Sequence, residues 1–311
     1  MAKYSNDERR IWLNGKIVPV GEAMINVLSP TSQFGANVFE GIRCYYNADE
    51  DQLFAFRLNE HYKRLENSMK LFRFDTRYTQ DELYDGLIET VRANDYREDI
   101  AVRQTVFLDG FGTWSTRGPI GMFIAPVAKP RTVLGSTGKK CCISSWERIS
   151  DRNFPPRIKV GANYINSRLA QIEAVNGGYD TAIFMNHLGK IAEGPGSCFF
   201  IVRDGTLITP PCTASVLESI TRDTVIELAR NVLGIPTEIR DIDRTETYIC
   251  DEAFLCGSAM EVAPVTNIDG YDIGTGSTGE ITRKLHSLYL DVASGRVSQY
   301  KGWLTPIYED K

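Results

Sequence analysis

The chain is poor in histidine. Its 311 residues include only His61, His187 and His286, far apart in the sequence. That spacing does not suit a zinc site, and a histidine-centred hydrolase loses its main ingredient, as no Gly-x-Ser-x-Gly elbow occurs. Cysteine is present as seven residues, an odd number, with no Cys-x-x-Cys pair. The N-terminus has no apolar stretch after a basic start. Reduced thiols in a cytoplasmic protein are therefore expected. No run approaches the roughly 18 apolar residues of a membrane span. Basic residues form no long run and the net charge is −5, so neither nucleic acid nor a membrane surface is an expected partner. No strand leading into a helix-opening Gly-x-Gly-x-x-Gly is expected, and no P-loop sequence occurs.

What remains is an ordinary globular composition, 42% hydrophobic and 24% charged. At about 150 residues per domain the length predicts two domains. Residues 1–130 read as a smaller N-terminal α/β domain, 131–138 as a linker broken by Gly, and 139–311 as a larger C-terminal domain. In the first part, Asn14-Gly15 reads as a hairpin turn. Residues 57–72 read as a helix, Thr79-Gln-Asp-Glu82 as a capping box, and 100–108 and 120–128 as strands. In the second, residues 163–175 read as a helix with Ile165, Leu169 and Ile172 inward, and Thr221 as the cap of a helix reaching Leu233. Strands and helices do not alternate strictly. The expected class is α+β with mixed sheets, not a doubly wound fold.

Three segments hold residues that packing alone does not require. Lys159 precedes a small-residue turn that opens a helix. An ammonium near the positive helix end is disfavoured, and a free amine forms a Schiff base with a carbonyl. Glu193 lies beside the Gly-Pro-Gly196 turn, where a carboxylate could pair with a pyridinium nitrogen. Residues 217–223 form a helix N-terminus with hydroxyl groups, an anion site in principle. Gly257-Ser-Ala259 adds another small, hydroxyl-bearing turn. Lysine, pyridinium partner and phosphate donors in one chain specify pyridoxal phosphate.

Over nearly its whole length the sequence resembles the fold-type IV pyridoxal-phosphate aminotransferases, most closely the branched-chain amino acid group. The resemblance is carried by Phe34-Gly-Ala-Asn-Val-Phe-Glu-Gly-Ile-Arg43, by His61-Tyr-Lys-Arg-Leu65, and by Lys159 to Tyr164. It continues through Glu193-Gly-Pro-Gly196, Ile220-Thr-Arg-Asp223 and Gly257-Ser-Ala-Met-Glu261. It implies that Lys159 holds pyridoxal 5′-phosphate as a Schiff base and moves the proton during transamination. Glu193 would hold the pyridine nitrogen protonated, and Tyr164 would bond the ring's phenolic oxygen. Arg64, the amides of Ile220 and Thr221, and Ser258 would bind the phosphate, with Leu217 on the ring face. Substrate contacts would come from Phe34, Phe39, Gly41, Ala101, Arg103, Ser258 and Ala259. The implied assembly is a homodimer or larger, with the cofactor in an interdomain cleft.

Some positions depart from that family. Phe34 and Ala101 stand where tyrosines are usual, and no aromatic residue stands at Ala125-Pro-Val127. Glu218-Ser219 replaces Pro-Gly, which puts a negative charge near the expected phosphate. Arg103 is retained and suits the distal carboxylate of 2-oxoglutarate. Most of these changes fall on the substrate side, which predicts retained chemistry with a larger or unusual amino donor. The alternatives within this fold are aminodeoxychorismate lyase and D-amino acid or (R)-amine transaminases. Outside it stands a non-catalytic binding protein.

Overall fold

A computed structural model describes residues 8–308. They form two compact units. The first lies within Met1–Pro130, Ile158–Ala162 and Val292–Lys311, the second within Arg131–Arg157 and Asn163–Asp291. This corrects the expectation that 139–311, Lys159 included, forms one C-terminal domain. Strand pairing is the cause. Val160 bridges Val38 in antiparallel fashion, and a C-terminal strand, Leu304–Pro306, pairs with Phe54–Phe56.

The first unit is a seven-stranded sheet with helices. Its strands are β1 (Arg10–Leu13), β2 (Lys16–Pro19), β3 (Asn37–Asn47), β4 (Gln52–Phe56), β5 (Ile100–Leu108) and β6 (Ile120–Ala128). Its helices are α1 (Pro30–Phe34), α2 (Leu58–Leu71) and α3 (Gln80–Asn94). The sheet order is Leu304–Pro306, β4, β3, β5, β6, β1, β2. Every pairing in it is antiparallel. Asn14 and Gly15 both take positive φ, 48° and 87°, as the two-residue hairpin turn requires. The Thr79–Glu82 capping box forms and opens α3. Residues alternate along β3 and β5. Val38, Glu40, Ile42, Val102 and Gln104 share one face, and Phe39, Gly41, Arg43, Ala101 and Arg103 share the other. On the first face α2 packs its buried side, with Tyr62 Oη donating to Gln104 Oε1 of β5 at 3.1 Å.

The second unit carries a mixed sheet. Its strands are β7 (Lys139–Glu147), β8 (Thr181–Met185), β9 (Glu193–Gly194), β10 (Ser197–Arg203), β11 (Thr206–Thr209), β12 (Thr237–Ile239), β13 (Glu252–Gly257), β14 (Glu261–Ile268) and β15 (Tyr271–Asp272). Its helices are α4 (Asn163–Asn176), α5 (Ile220–Asn231) and α6 (Glu280–Ala293), the last two residues of α6 counting with the first unit. The order is β12-β11-β10-β13-β14-β7-β8, with β9 on β10 and β15 on β14. Parallel pairs occur at β11–β12, β14–β7 and β7–β8. The apolar core gathers Ile143, Ile183, Phe199, Ile201, Leu255 and Val265, among others.

Two local expectations are corrected here. On α4 the large apolar residues Ile165, Leu169 and Ile172 are exposed. The buried face is instead Asn163, Ser167, Ala170 and Ala174. Both sets have helical spacing, but only the small-residue face lets α4 approach β7 and β8 closely. The cap of α5 is Ser219, whose side chain accepts from Arg222 N; Thr221 lies buried in the first turn. Among the described residues, no helix is long and apolar enough to cross a membrane. No group of three or more metal-ligating side chains occurs among them.

Candidate functional site

In the first unit, Lys159 is fixed from both sides of its backbone. Its N–H donates to Ser68 Oγ at 3.2 Å. Its carbonyl accepts from Phe39 N at 2.9 Å, and Gly161 N donates to Asn37 O at 3.0 Å. The residues flanking the lysine thus add to the edge of β3 as a short extra strand. Gly161 eases this approach, because a Cβ there would come 2.5 Å from the Asn37 side-chain oxygen and force that side chain to shift. Lys159 Nζ lies 5.1 Å from the centre of the Phe39 ring. The Arg103 guanidinium lies 3.3 Å from the centre of the same ring. Lys159, Phe39 and Arg103 are therefore brought together. Gly41 is the register partner of Arg103, and Ala101 that of Arg43. Phe34 is exposed on α1, its ring edge-on to Trp114.

Arg64 is held on the opposite face of the sheet. Its Nε and Nη2 each donate to a different oxygen of Glu40, both at 2.7 Å. His61, one turn earlier on α2, places Nδ1 2.7 Å from Glu40 Oε2. Burial alone raises a carboxyl's pKa, but the Arg64 charge and the hydrogen bonds from Arg64 and His61 overturn that. They hold Glu40 well below the usual carboxylate range. Burial pushes the His61 imidazole below its ordinary value against the pull of Glu40, and the charges of Arg64 and Lys159 act the same way. The sequence motifs contain Glu40 and His61, but give neither a role. The signal that could have found them is the i, i+3 placement of His61 and Arg64 on one helix face.

In the second unit, Glu193 is buried on β9 at 3% exposure. Arg148 donates to its Oε1 from Nε at 2.9 Å and from Nη2 at 2.8 Å. Its Oε2 accepts Leu217 N–H at 3.2 Å. The Cys198 Sγ lies 3.9 Å from the same oxygen. Burial pushes that thiol up to about 12, so it stays protonated. Glu193 and Leu217 are thus brought together by a direct bond. Arg148 is absent from the sequence reading, since a single arginine after a strand carries no signal. Ile220 and Thr221 form the first turn of α5, both buried. Just before them, Glu218 pairs with Arg157 at 2.6 Å. The charge that replaces Pro-Gly therefore has a counter-ion of its own. Ser258 and Ala259 lie in the tight turn between β13 and β14, where Met260 N donates to Gly257 O at 3.0 Å. Tyr164, on the first turn of α4, lines a cavity of about 380 Å³ with Ser167, Arg168, Gln171, Pro195 and Gly196.

One Gly-x-Gly-x-x-Gly spacing does open a helix, which corrects the expectation that none would. Gly274, Gly276 and Gly279 lead into α6. Its N-terminus is already closed by Glu252, which accepts from Ile281 N at 3.0 Å and Thr282 N at 2.8 Å. A pyrophosphate would have to displace that carboxylate, so this is a cap and not a dinucleotide site.

Comparison with known proteins matches residues 37–268 to the class IV amino-transferase family. The chain belongs to that family. A branched-chain amino acid aminotransferase from Thermobaculum terrenum, solved in its PLP form, is 45% identical. It covers 98% of this chain and 100% of its own, with a TM-score of 0.90. A branched-chain aminotransferase from Thermoproteus uzoniensis, solved with norvaline, is 40% identical. It covers 96% and 99%, also with a TM-score of 0.90. A probable branched-chain-amino-acid aminotransferase of Aquifex aeolicus is 38% identical over 302 residues, 96% of either chain. The α+β fold with two units and the aminotransferase class both follow from this membership.

Proposed function

We propose that the chain is a pyridoxal 5′-phosphate-dependent aminotransferase that moves the amino group of an apolar, branched-chain-like L-amino acid to a 2-oxo acid such as 2-oxoglutarate. The observation that carries the reading is Glu193, a carboxylate almost fully buried yet kept in a pair with Arg148. A structural role alone gives little reason to bury such a pair, since apolar residues of similar volume often serve as well. A ring nitrogen carrying a proton is a ligand that requires it. The other residue types suit the same cofactor: a half-buried amine at Lys159, the Arg64 guanidinium that Glu40 orients, and the backbone N–H groups of the buried first turn of α5.

When bound, the cofactor supplies an electron sink for the charge released at the substrate Cα. Lys159 Nζ would hold the cofactor's aldehyde and, as a free amine, would take the Cα proton. Glu193 keeps its proton partner on the ring nitrogen, and Leu217 sits beside that carboxylate. Arg64, with Ile220, Thr221 and Ser258, takes the phosphate, and Tyr164 the phenolic oxygen. Phe39, with Gly41, forms an apolar wall on the lysine's side of the sheet. Arg103, stacked on Phe39, receives the distal carboxylate of a dicarboxylic acceptor. Phe34, Ala101 and Ala259 complete the substrate contacts. The relatives support branched-chain donors over a lyase or a D-specific enzyme.

Mixing holoenzyme with single amino donors, and following cofactor absorbance, tests this. Conversion by valine, leucine and isoleucine supports branched-chain specificity. Faster conversion by larger donors supports a pocket opened by Ala101 and Ala125. No conversion by any donor refutes transamination. The exposed stripe Ile165, Leu169, Ile172 and Val175 on α4 supports a homodimer or larger, which sedimentation checks. Seven free thiols support a cytoplasmic setting.

A further inference from the structure

We infer that Arg148 is a positioning residue of the reaction: it fixes Glu193 as an oriented carboxylate, so that a proton shared with the cofactor's ring nitrogen resides on the nitrogen. This rests on the reading of Glu193 given above. The observation is the way the guanidinium is built in. Arg148 follows β7, and its backbone N–H donates to Met185 O at 2.9 Å. Its Nη1 reaches Asn166 Oδ1 at 3.4 Å. Asn166 is itself anchored by Nδ2 to Glu147 O at 2.9 Å. The Phe184 ring lies 5.6 Å from the guanidinium carbon. Backbone, amide and ring thus hold the cation, and two of its nitrogens converge on the single oxygen Oε1. Leu217 N–H meets the other oxygen, which sets the rotation of the carboxyl group.

The electrostatic consequence follows from distance. A carboxyl this deeply buried, without a cation, favours its protonated form. It would then meet a pyridine nitrogen as a neutral acid–base pair, and the ring would draw electrons weakly. Arg148 touches the carboxylate directly. A second cation bound through that carboxylate feels Arg148 only from farther away. The attraction that stabilises the anion therefore exceeds the repulsion on the pyridinium. With Arg148 in place, a proton shared between Glu193 and the ring nitrogen would therefore reside on the nitrogen.

The test uses holoenzyme reconstituted with pyridoxal phosphate carrying ¹⁵N in the ring. Wild type, R148M, R148K and E193Q are compared by ¹⁵N chemical shift against pH, and by single-turnover rates with leucine. Wild type should show a protonated nitrogen through the neutral range. R148M should show an unprotonated one, with the half-reaction slowed by roughly a hundredfold and leucine affinity little changed. R148K, which keeps the charge but only a point donor, should restore the protonated signal in part and shift its titration to lower pH. An R148M nitrogen that titrates as in wild type overturns the inference, while a changed E193Q nitrogen keeps the Glu193 reading intact. If E193Q also titrates as wild type, the Glu193 reading itself fails. If R148M does not fold, R148K decides, and an unshifted titration there overturns the inference.

Discussion

Replacing Glu40 with glutamine removes one buried charge and keeps the shape. Glu40 is fully buried and accepts three short contacts, two from Arg64 and one from His61, each 2.7 Å. Glutamine keeps one acceptor oxygen, but its amide nitrogen is a donor that faces one of the two Arg64 donors, so the charge and a hydrogen bond are lost together. Arg64 then stays buried, 9% exposed, without the carboxylate that balances it. Removing one partner of such a pair costs ~3–5 kcal/mol. The variant should therefore lose at least the low end of that range, about 3 kcal/mol. For a unit of about 150 residues that lowers the melting temperature by roughly 6–12 °C. Cofactor retention should weaken as well, because the fork that takes the phosphate is no longer oriented. Calorimetric melting of the apoprotein, with equilibrium dialysis of the cofactor, reads both. A melting temperature within about 2 °C of wild type, with unchanged retention, would refute the role given to Glu40.

Further expectations concern stability, pH and the acceptor. Gly161→Ala drives a Cβ into the Asn37 side chain and should cost about 1–3 kcal/mol as overpacking; an unaltered melt would show that the Lys159 strand has slack. His61 binds its proton less well folded than unfolded, so the unfolded chain takes up more protons below the ordinary value of 6.5. Stability should therefore fall as pH drops from 6.5 towards the folded value, and His61→Gln should flatten that part of the curve. Glu40 acts lower on the scale. Its depressed pKa stabilises the fold above the ordinary value of 4.5 and is lost as pH falls through the folded value. Arg103→Met should slow the half-reaction with glutamate about tenfold to a hundredfold, the worth of one charged hydrogen bond, and leave leucine much less affected. Equal losses with both donors would mean that Arg103 acts through Phe39 alone.

Local patterns were the most legible part of the fold. The strands at 100–108 and 120–128 and the Thr79 capping box are set by alternation and by near-neighbour chemistry, so they read directly. The α4 face read the wrong way because hydrophobic size predicts burial only when helix and sheet are not forced close. Ser167, Ala170 and Ala174 win there by being small. Non-local pairing was invisible. Nothing near Lys159 in sequence announces Val38 as the partner of Val160. Of the candidate site, the lysine, the glutamate and the α5 turn were legible as residue types. The partners of the charged groups were not: Glu40 on β3 holds Arg64, Arg148 holds Glu193 and Arg157 pairs with Glu218, and these pairings answer to charge balance in three dimensions.

The central claim is that Lys159 carries the cofactor. Borohydride reduction of the reconstituted protein, followed by peptide mapping, tests it most directly. A single phosphopyridoxyl label on the peptide containing Lys159, lost in Lys159→Ala, is the predicted result. A label on any other lysine, or no label on a protein that retains the cofactor, would contradict it.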